Sequence, residues 1–183
     1  TLLLAIDVWG LKETLKESVG MFSFALWDKK QKTLSLANDR MGEKPIYYGE
    51  QNGVFLFGSE LTAIRNHPSF KGVIDRRSVS LFLKMNYIPH PHSIFKDIFK
   101  LNPGTFIKIK MRKNEFRCIQ KIQYWSLENS ISQGKCEKFT GSDVEAVNHL
   151  EKILKKSIAG QMISDVPLGT FLSGGIDSSC LLY

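Results

Sequence analysis

A chain of 183 residues with 43% hydrophobic and 23% charged side chains can bury a real apolar core, which excludes low-complexity and disordered classes and allows one domain or pieces of two. No run approaches the roughly 18 consecutive apolar residues that span a bilayer, and Thr1-Leu2-Leu3-Leu4 is too short, and lacks the basic flank, to be a secretory signal. The net charge of +7 comes from lysines spread along the sequence, which read as a solvated surface and argue against nucleic acid as a partner.

Three cysteines at irregular spacing, Cys118, Cys136 and Cys180, suggest neither a disulfide framework nor a paired zinc site. Free thiols fit a reducing compartment, so the expected location is cytoplasmic, with no membrane partner. The chain begins without Met and stops inside the apolar run Leu181-Leu182-Tyr183, and reads as cut at both ends.

In chain order, Gly20 to Asp28 alternates with a period of two, and both of its faces are largely apolar, so a strand buried between layers is expected. A second strand follows at Thr33 to Ala37. After the loop Asn38 to Pro45, short strands at Ile46 to Tyr48 and Val54 to Phe57 flank Asn52-Gly53, a hairpin pair that accepts positive φ. Ser59 can cap a short helix, Glu60 to Asn66, and Asp75 can cap another, Arg76 to Met85. Strands at Thr105 to Met111 and Phe116 to Tyr124 join through the polar turn Arg112 to Asn114.

The segment 126–142 is polar and weakly patterned and reads as a linker. Ser142 with Glu145 then forms a capping box, and Val144, Val147, Leu150, Leu154, Ile158 and Met162 recur at helical spacing. Val166 to Leu172 reads as a short apolar strand running into Ser173-Gly174-Gly175-Ile176-Asp177-Ser178-Ser179, where another helix begins. Helix, strand, glycine turn and helix open an α/β nucleotide-binding domain.

That turn carries the chemistry. Two glycines and three serines let backbone N–H groups and hydroxyls approach an anion, and a helix starting there adds its positive dipole end. Asp177 alone would repel phosphate, which points to a bridging Mg²⁺. The GxxxxGK[ST] pattern is absent, so the commoner triphosphate loop is excluded.

SGGIDSS at 173–179 resembles the SGGxDS pyrophosphate loop of the ATP pyrophosphatases that cleave ATP between its α and β phosphates. Upstream, GMFSFALWD, NDRMGEKPIYYG, FGSELTAI, YIPHPHSIFKDIFKLNPG and SDVPLGTFLSGGIDSS resemble, in order, successive segments of glutamine-hydrolysing asparagine synthetases. The resemblance covers nearly the whole chain.

It implies an α+β region followed by an α/β one. Residues 1–125 would be the later part of an N-terminal-nucleophile αββα sandwich, the glutaminase, and 143–183 the opening helix, strand and pyrophosphate loop of a doubly wound synthetase domain. It also implies glutamine, aspartate and ATP as substrates and Mg²⁺ as cofactor, and leaves a homodimer open. Ser173, Gly174, Gly175 and Ser178 would hold the departing pyrophosphate, Asp177 would bind Mg²⁺, and the backbone of Phe171 would contact adenine. Rival readings are an amidotransferase acting on a sugar or peptide carboxylate and a tRNA-modifying ligase.

No residue matches the family's N-terminal cysteine nucleophile. Thr1 falls in a segment resembling an internal family helix and is rejected as a substitute. Cys118 and Cys180 are expected as small buried thiols and Cys136 as a linker residue. Asp39 to Pro45 reads as a structural turn fixed by Gly42 and Pro45, and His90 with His92 as a solvent-facing loop without further metal ligands.

Overall fold

The computed structural model describes residues 1–112 and 115–180, with the backbone alone described at 111, 112, 115, 116, 118 and 119. The expected turn at Arg112 to Asn114 and the side chain of Cys118 therefore lie outside the described residues. The chain divides into two compact units, Thr1–Ser130 and Ile131–Tyr183.

In the first unit, helices α1 (Leu2–Trp9) and α2 (Leu11–Glu17) precede strands β1 (Ser23–Asp28), β2 (Thr33–Asn38), β3 (Tyr47–Gln51) and β4 (Val54–Gly58). Helices α3 (Leu61–Arg65) and α4 (Arg76–Met85) follow, then strands β5 (Ile98–Lys100), β6 (Thr105–Arg112) and β7 (Glu115–Gln123). All ladders are antiparallel. One sheet has the order β1-β2-β6-β7 and the other β4-β3-β5.

Alternation along each strand assigns its faces. On one face of the larger sheet, Ala37 and Phe106 pack with Leu11 and Leu15 of α2, and Phe24 and Leu26 join them. On its other face, Leu36, Ile107 and Ile109 pack with Ile46 and Leu101, and Tyr48 of β3 and Phe55 of β4 come against them. The far side of the smaller sheet buries Leu56 and Ile98 against Ile64 of α3, with Phe70 and Phe95 edge to face at 4.9 Å. The packing order is thus helix, sheet, sheet, helix, with three apolar seams.

A polar hub at the end of β2 ties these layers. Asn38 is fully buried; its amide donates to the Leu101 carbonyl at 3.2 Å, and its backbone carbonyl accepts from the Tyr124 hydroxyl at 2.7 Å. The carboxylate of Asp39, 1% exposed, accepts four backbone N–H groups, those of Met41, Glu43, Lys44 and Phe22, at 2.9 to 3.3 Å. The loop after β2 is therefore a structural turn, with the Asp39 carboxylate as its centre. Arg40 donates to the carbonyls of Ser18 and Lys16, placing a cation where the α2 dipole ends negative. Gly104, at φ 59°, must be glycine here, because a Cβ would collide with the Trp125 carbonyl.

Several sequence expectations change. β1 is not buried between layers: Ala25 and Trp27 are exposed, because β1 is the edge of its sheet and only the face carrying Phe24 and Leu26 is covered. Ser59 does not cap α3, whose N-cap is Glu60 without a side-chain bond, whereas Asp75 does cap α4, accepting from the Arg77 N–H at 3.1 Å. The segment 126–142, read as a linker from its weak patterning, carries regular structure. It contains helix α5 (Leu127–Cys136), whose first turn is fastened by the Ser126 hydroxyl accepting from the Asn129 N–H. The break between units falls within that segment. No helix among the described residues is long and apolar enough to cross a membrane.

In the second unit, α6 (Asp143–Gln161) opens with the full reciprocal capping box of Ser142 and Glu145, and α7 (Ile176–Cys180) closes the described chain. The strand expected at Val166 to Leu172 does not form. A strand needs a ladder partner for its N–H and C=O groups, and this unit offers no other strand among its described residues.

Two outcomes follow from the hub. Asp39→Asn presents an NH₂ group to a site that receives only donors, and should cost about 3 kcal/mol, read as a lower denaturant midpoint at unchanged m-value. Burial pushes the Tyr124 phenol up to about 12, so folded and unfolded chains are both protonated at neutral pH. As pH rises above the ordinary 10.0 the unfolded phenol ionises first, and the stability tied to the neutral hydroxyl is lost through about 12. Tyr124→Phe should cost about 1 kcal/mol at pH 7 and flatten that part of the alkaline stability profile.

Candidate functional site

The turn between residue 172 and α7 is built by its small residues. Gly174 adopts φ 76°, the left-handed region that glycine enters at no steric cost, and a Cβ there would meet open space. The chain reverses at that point and enters α7 at Ile176. The Ser178 hydroxyl donates to the Gly175 carbonyl at 3.0 Å and lies 2.9 Å from the Ser173 hydroxyl, while Ser179 donates to the same carbonyl at 2.9 Å. Four of the expected residues, Ser173, Gly174, Gly175 and Ser178, are thus brought into one turn.

Asp177 lies in the first turn of α7 and is exposed. Carboxylates at that position are favoured by the helix dipole and stay available to a ligand in solvent. Phe171 is fully exposed, at 102% of its reference area, so its side chain stands apart from the turn and only its backbone is placed to contribute. Hydroxyl rotors are free to turn, and the serines that now close the loop on itself can redirect their donors toward an anion.

Beside the turn, α6 and α7 enclose a groove of about 580 Å³ lined by Val147, Leu150, Leu154, Ile158 and Ile176. This lining is mainly apolar, with Glu151, Lys155 and Ser179 as its charged and hydroxyl side chains. It is the uncovered apolar seam of α6, and the polar work falls to the turn at the groove's edge.

Among the described residues, no group of three His, Cys, Asp or Glu side chains could hold a metal ion. Magnesium is commonly held by one or two carboxylates together with phosphate oxygens and water. The single carboxylate of Asp177 fits a nucleotide-carried magnesium and would not retain the ion alone.

The remaining candidates are placed as follows. Thr1 is the N-cap of α1 and its carbonyl accepts from the Ala5 N–H, an ordinary helix start. Cys180 is exposed, against the expectation of a buried thiol, because α7 has no layer packed over it among the described residues; Cys136, the last residue of α5, is exposed as well. His90 is exposed and His92 half-buried. The feature that sequence reasoning missed is the role of Asp39. Its signal was an acidic residue closing an apolar strand just before a Gly- and Pro-bearing loop, the pattern of a side chain that gathers backbone amides.

Comparison with known proteins fits this division. A family described as "Glutamine amidotransferase domain" matches residues 1–125, and one described as "Asparagine synthase" matches residues 149–183. Asparagine synthetase [glutamine-hydrolyzing] 3 of Bacillus subtilis is 37% identical over 166 residues, covering 88% of this chain and 25% of the relative. Putative asparagine synthetase [glutamine-hydrolyzing] 2 of Methanocaldococcus jannaschii is 34% identical over 172 residues, 93% of this chain and 32% of the relative. Amidase chyE of Penicillium rubens is 29% identical, covering 87% of this chain and 22% of the relative. The chain spans about a quarter to a third of the length of these relatives. With more than half of its residues matched by one domain, and a synthase opening behind it, the chain belongs to the glutamine amidotransferase family of the asparagine synthetase type.

Proposed function

We propose that the whole protein makes asparagine from aspartate, using ATP and the amide nitrogen of glutamine. An aspartate side-chain oxygen attacks the α-phosphorus of ATP, pyrophosphate leaves, and ammonia released from glutamine attacks the resulting acyl carbon and expels AMP. The observation that carries this reading is the turn at 173–179: glycine at positive φ, hydroxyls within 3 Å of one another, and a helix beginning with an exposed carboxylate.

Each residue has a role in that proposal. The amides at Gly174 and Gly175, with the hydroxyls of Ser173 and Ser178, stabilise the charge that grows on the leaving pyrophosphate. The backbone at Phe171 meets adenine. Asp177 holds the magnesium that enters with the nucleotide, which when bound neutralises phosphate charge. The first unit, with its helix, sheet, sheet, helix order, supports the reading of residues 1–125 as the later part of a glutaminase sandwich, and the exposed stripe of α6 supports 143–183 as the opening of a doubly wound synthetase. Free thiols and ATP consumption fit the cytoplasm, where we place the enzyme.

In the full-length protein, Asp177→Ala should reduce aspartate-dependent pyrophosphate release at least 100-fold while glutamine hydrolysis persists; unchanged pyrophosphate release would refute the assignment. The proposal also requires Val166 to Leu172 to gain ladder partners in the complete domain. Hydrogen exchange should then show slow amides at 166–172 in the full-length protein and fast ones in the 183-residue chain.

A further inference from the structure

The lysines that are scattered in sequence are gathered by the fold. Thr33, at the start of β2, pairs with Lys110, near the end of β6, so the β1–β2 turn and the β6–β7 end of the larger sheet lie at the same edge. The first turn contributes Lys29, Lys30 and Lys32, all exposed. Lys108 and Lys110 stand half-buried on β6, and Arg117 of β7 pairs directly with Lys110. On this face the outward positions change along β6 from Phe106, covered by α2, to Lys108 and Lys110 beyond it. The helices therefore cover one end of the sheet and the cations occupy the other.

On β1 and β2 the acidic counterweight is small. Asp28 is the one carboxylate on β1 or β2, and it is engaged in the turn, accepting the N–H groups of Lys30 at 2.8 Å and Gln31 at 2.9 Å.

The geometry points to this edge as a peripheral docking surface for an anionic lipid bilayer, in place of the sequence expectation of no membrane partner. Two features favour lipid headgroups over nucleic acid. The cations gather at a turn and at the strand ends beside it, at one edge of the sheet, an arrangement suited to a flat surface. They are five lysines to one arginine, compact hydrated charges on long stems and not the planar forks that read base edges. Lysine stems extend along apolar surface while the ammonium stays with phosphate.

The test uses full-length protein sedimented with vesicles of phosphatidylcholine, with or without one third phosphatidylglycerol. The surface predicts binding to the anionic vesicles alone, with loss in ~1 M salt, where the screening length falls to about 3 Å. Replacing Lys29, Lys30 and Lys32 together by Gln should weaken partitioning roughly 100-fold, about fivefold per lysine, with an unchanged melting temperature. Lys108→Gln with Lys110→Gln tests the same surface from a separate strand and should weaken it roughly 25-fold. Equal binding to neutral vesicles, indifference to both sets of substitutions, or retention of a single-stranded RNA homopolymer without retention of anionic vesicles would each overturn the proposal.

Discussion

The first unit depends on one arrangement: two adjacent polar side chains at the end of β2, Asn38 and Asp39, buried and spent on backbone groups from distant parts of the chain. Asn38 reaches Leu101 and Thr105 through its amide and Tyr124 through its carbonyl, while Asp39 holds Phe22 and the loop to Lys44. Burying a carboxylate is costly unless its lone pairs are met, and four N–H groups meet them here. Apolar packing brings the layers together without fixing where one slides on another. Directional bonds at the hub fix that register.

The second unit rests on the opposite condition. Its helix α6 has a well-formed start but leaves Val144, Val147, Leu150 and Ile153 more than half exposed, and the apolar segment before Ser173 runs without a ladder. Only the turn at 173–179 is complete, because its conformation is set locally by Gly174 and by hydroxyl-to-carbonyl bonds within seven residues. A local device of this kind persists where a sheet cannot. This is why the proposed pyrophosphate contacts are recognisable on a unit whose other parts lack neighbours.

What was legible in the sequence follows the same division between local and distant causes. The capping box at Ser142, the Asp75 cap, the Asn52-Gly53 hairpin and the start of α7 are set by residues within a turn of each other, and the structure has them where the spacing put them. The burial of β1 and the strand at Val166 to Leu172 depend on what lies alongside, which periodicity does not carry. Helix α5 was hidden because Ser126-Leu127-Glu128-Asn129 has weak apolar periodicity, although its serine cap was present. Ser59 was misleading for the reverse reason: a good capping residue one position too early. At the turn, residue types and spacing indicated the glycine geometry, whereas the bonds of Ser178 and Ser179 to the Gly175 carbonyl were not legible, and the exposure of Phe171 and Cys180 followed from the lack of covering layers.

The bond from the Tyr124 hydroxyl to the Asn38 carbonyl joins residues 86 apart in sequence. During synthesis, β2 emerges long before its latch, and the intervening strands must wait with the Asn38 carbonyl answered by water. The first unit therefore locks only when the residues just ahead of α5 have left the ribosome, and until then the nascent chain holds an unlatched sheet.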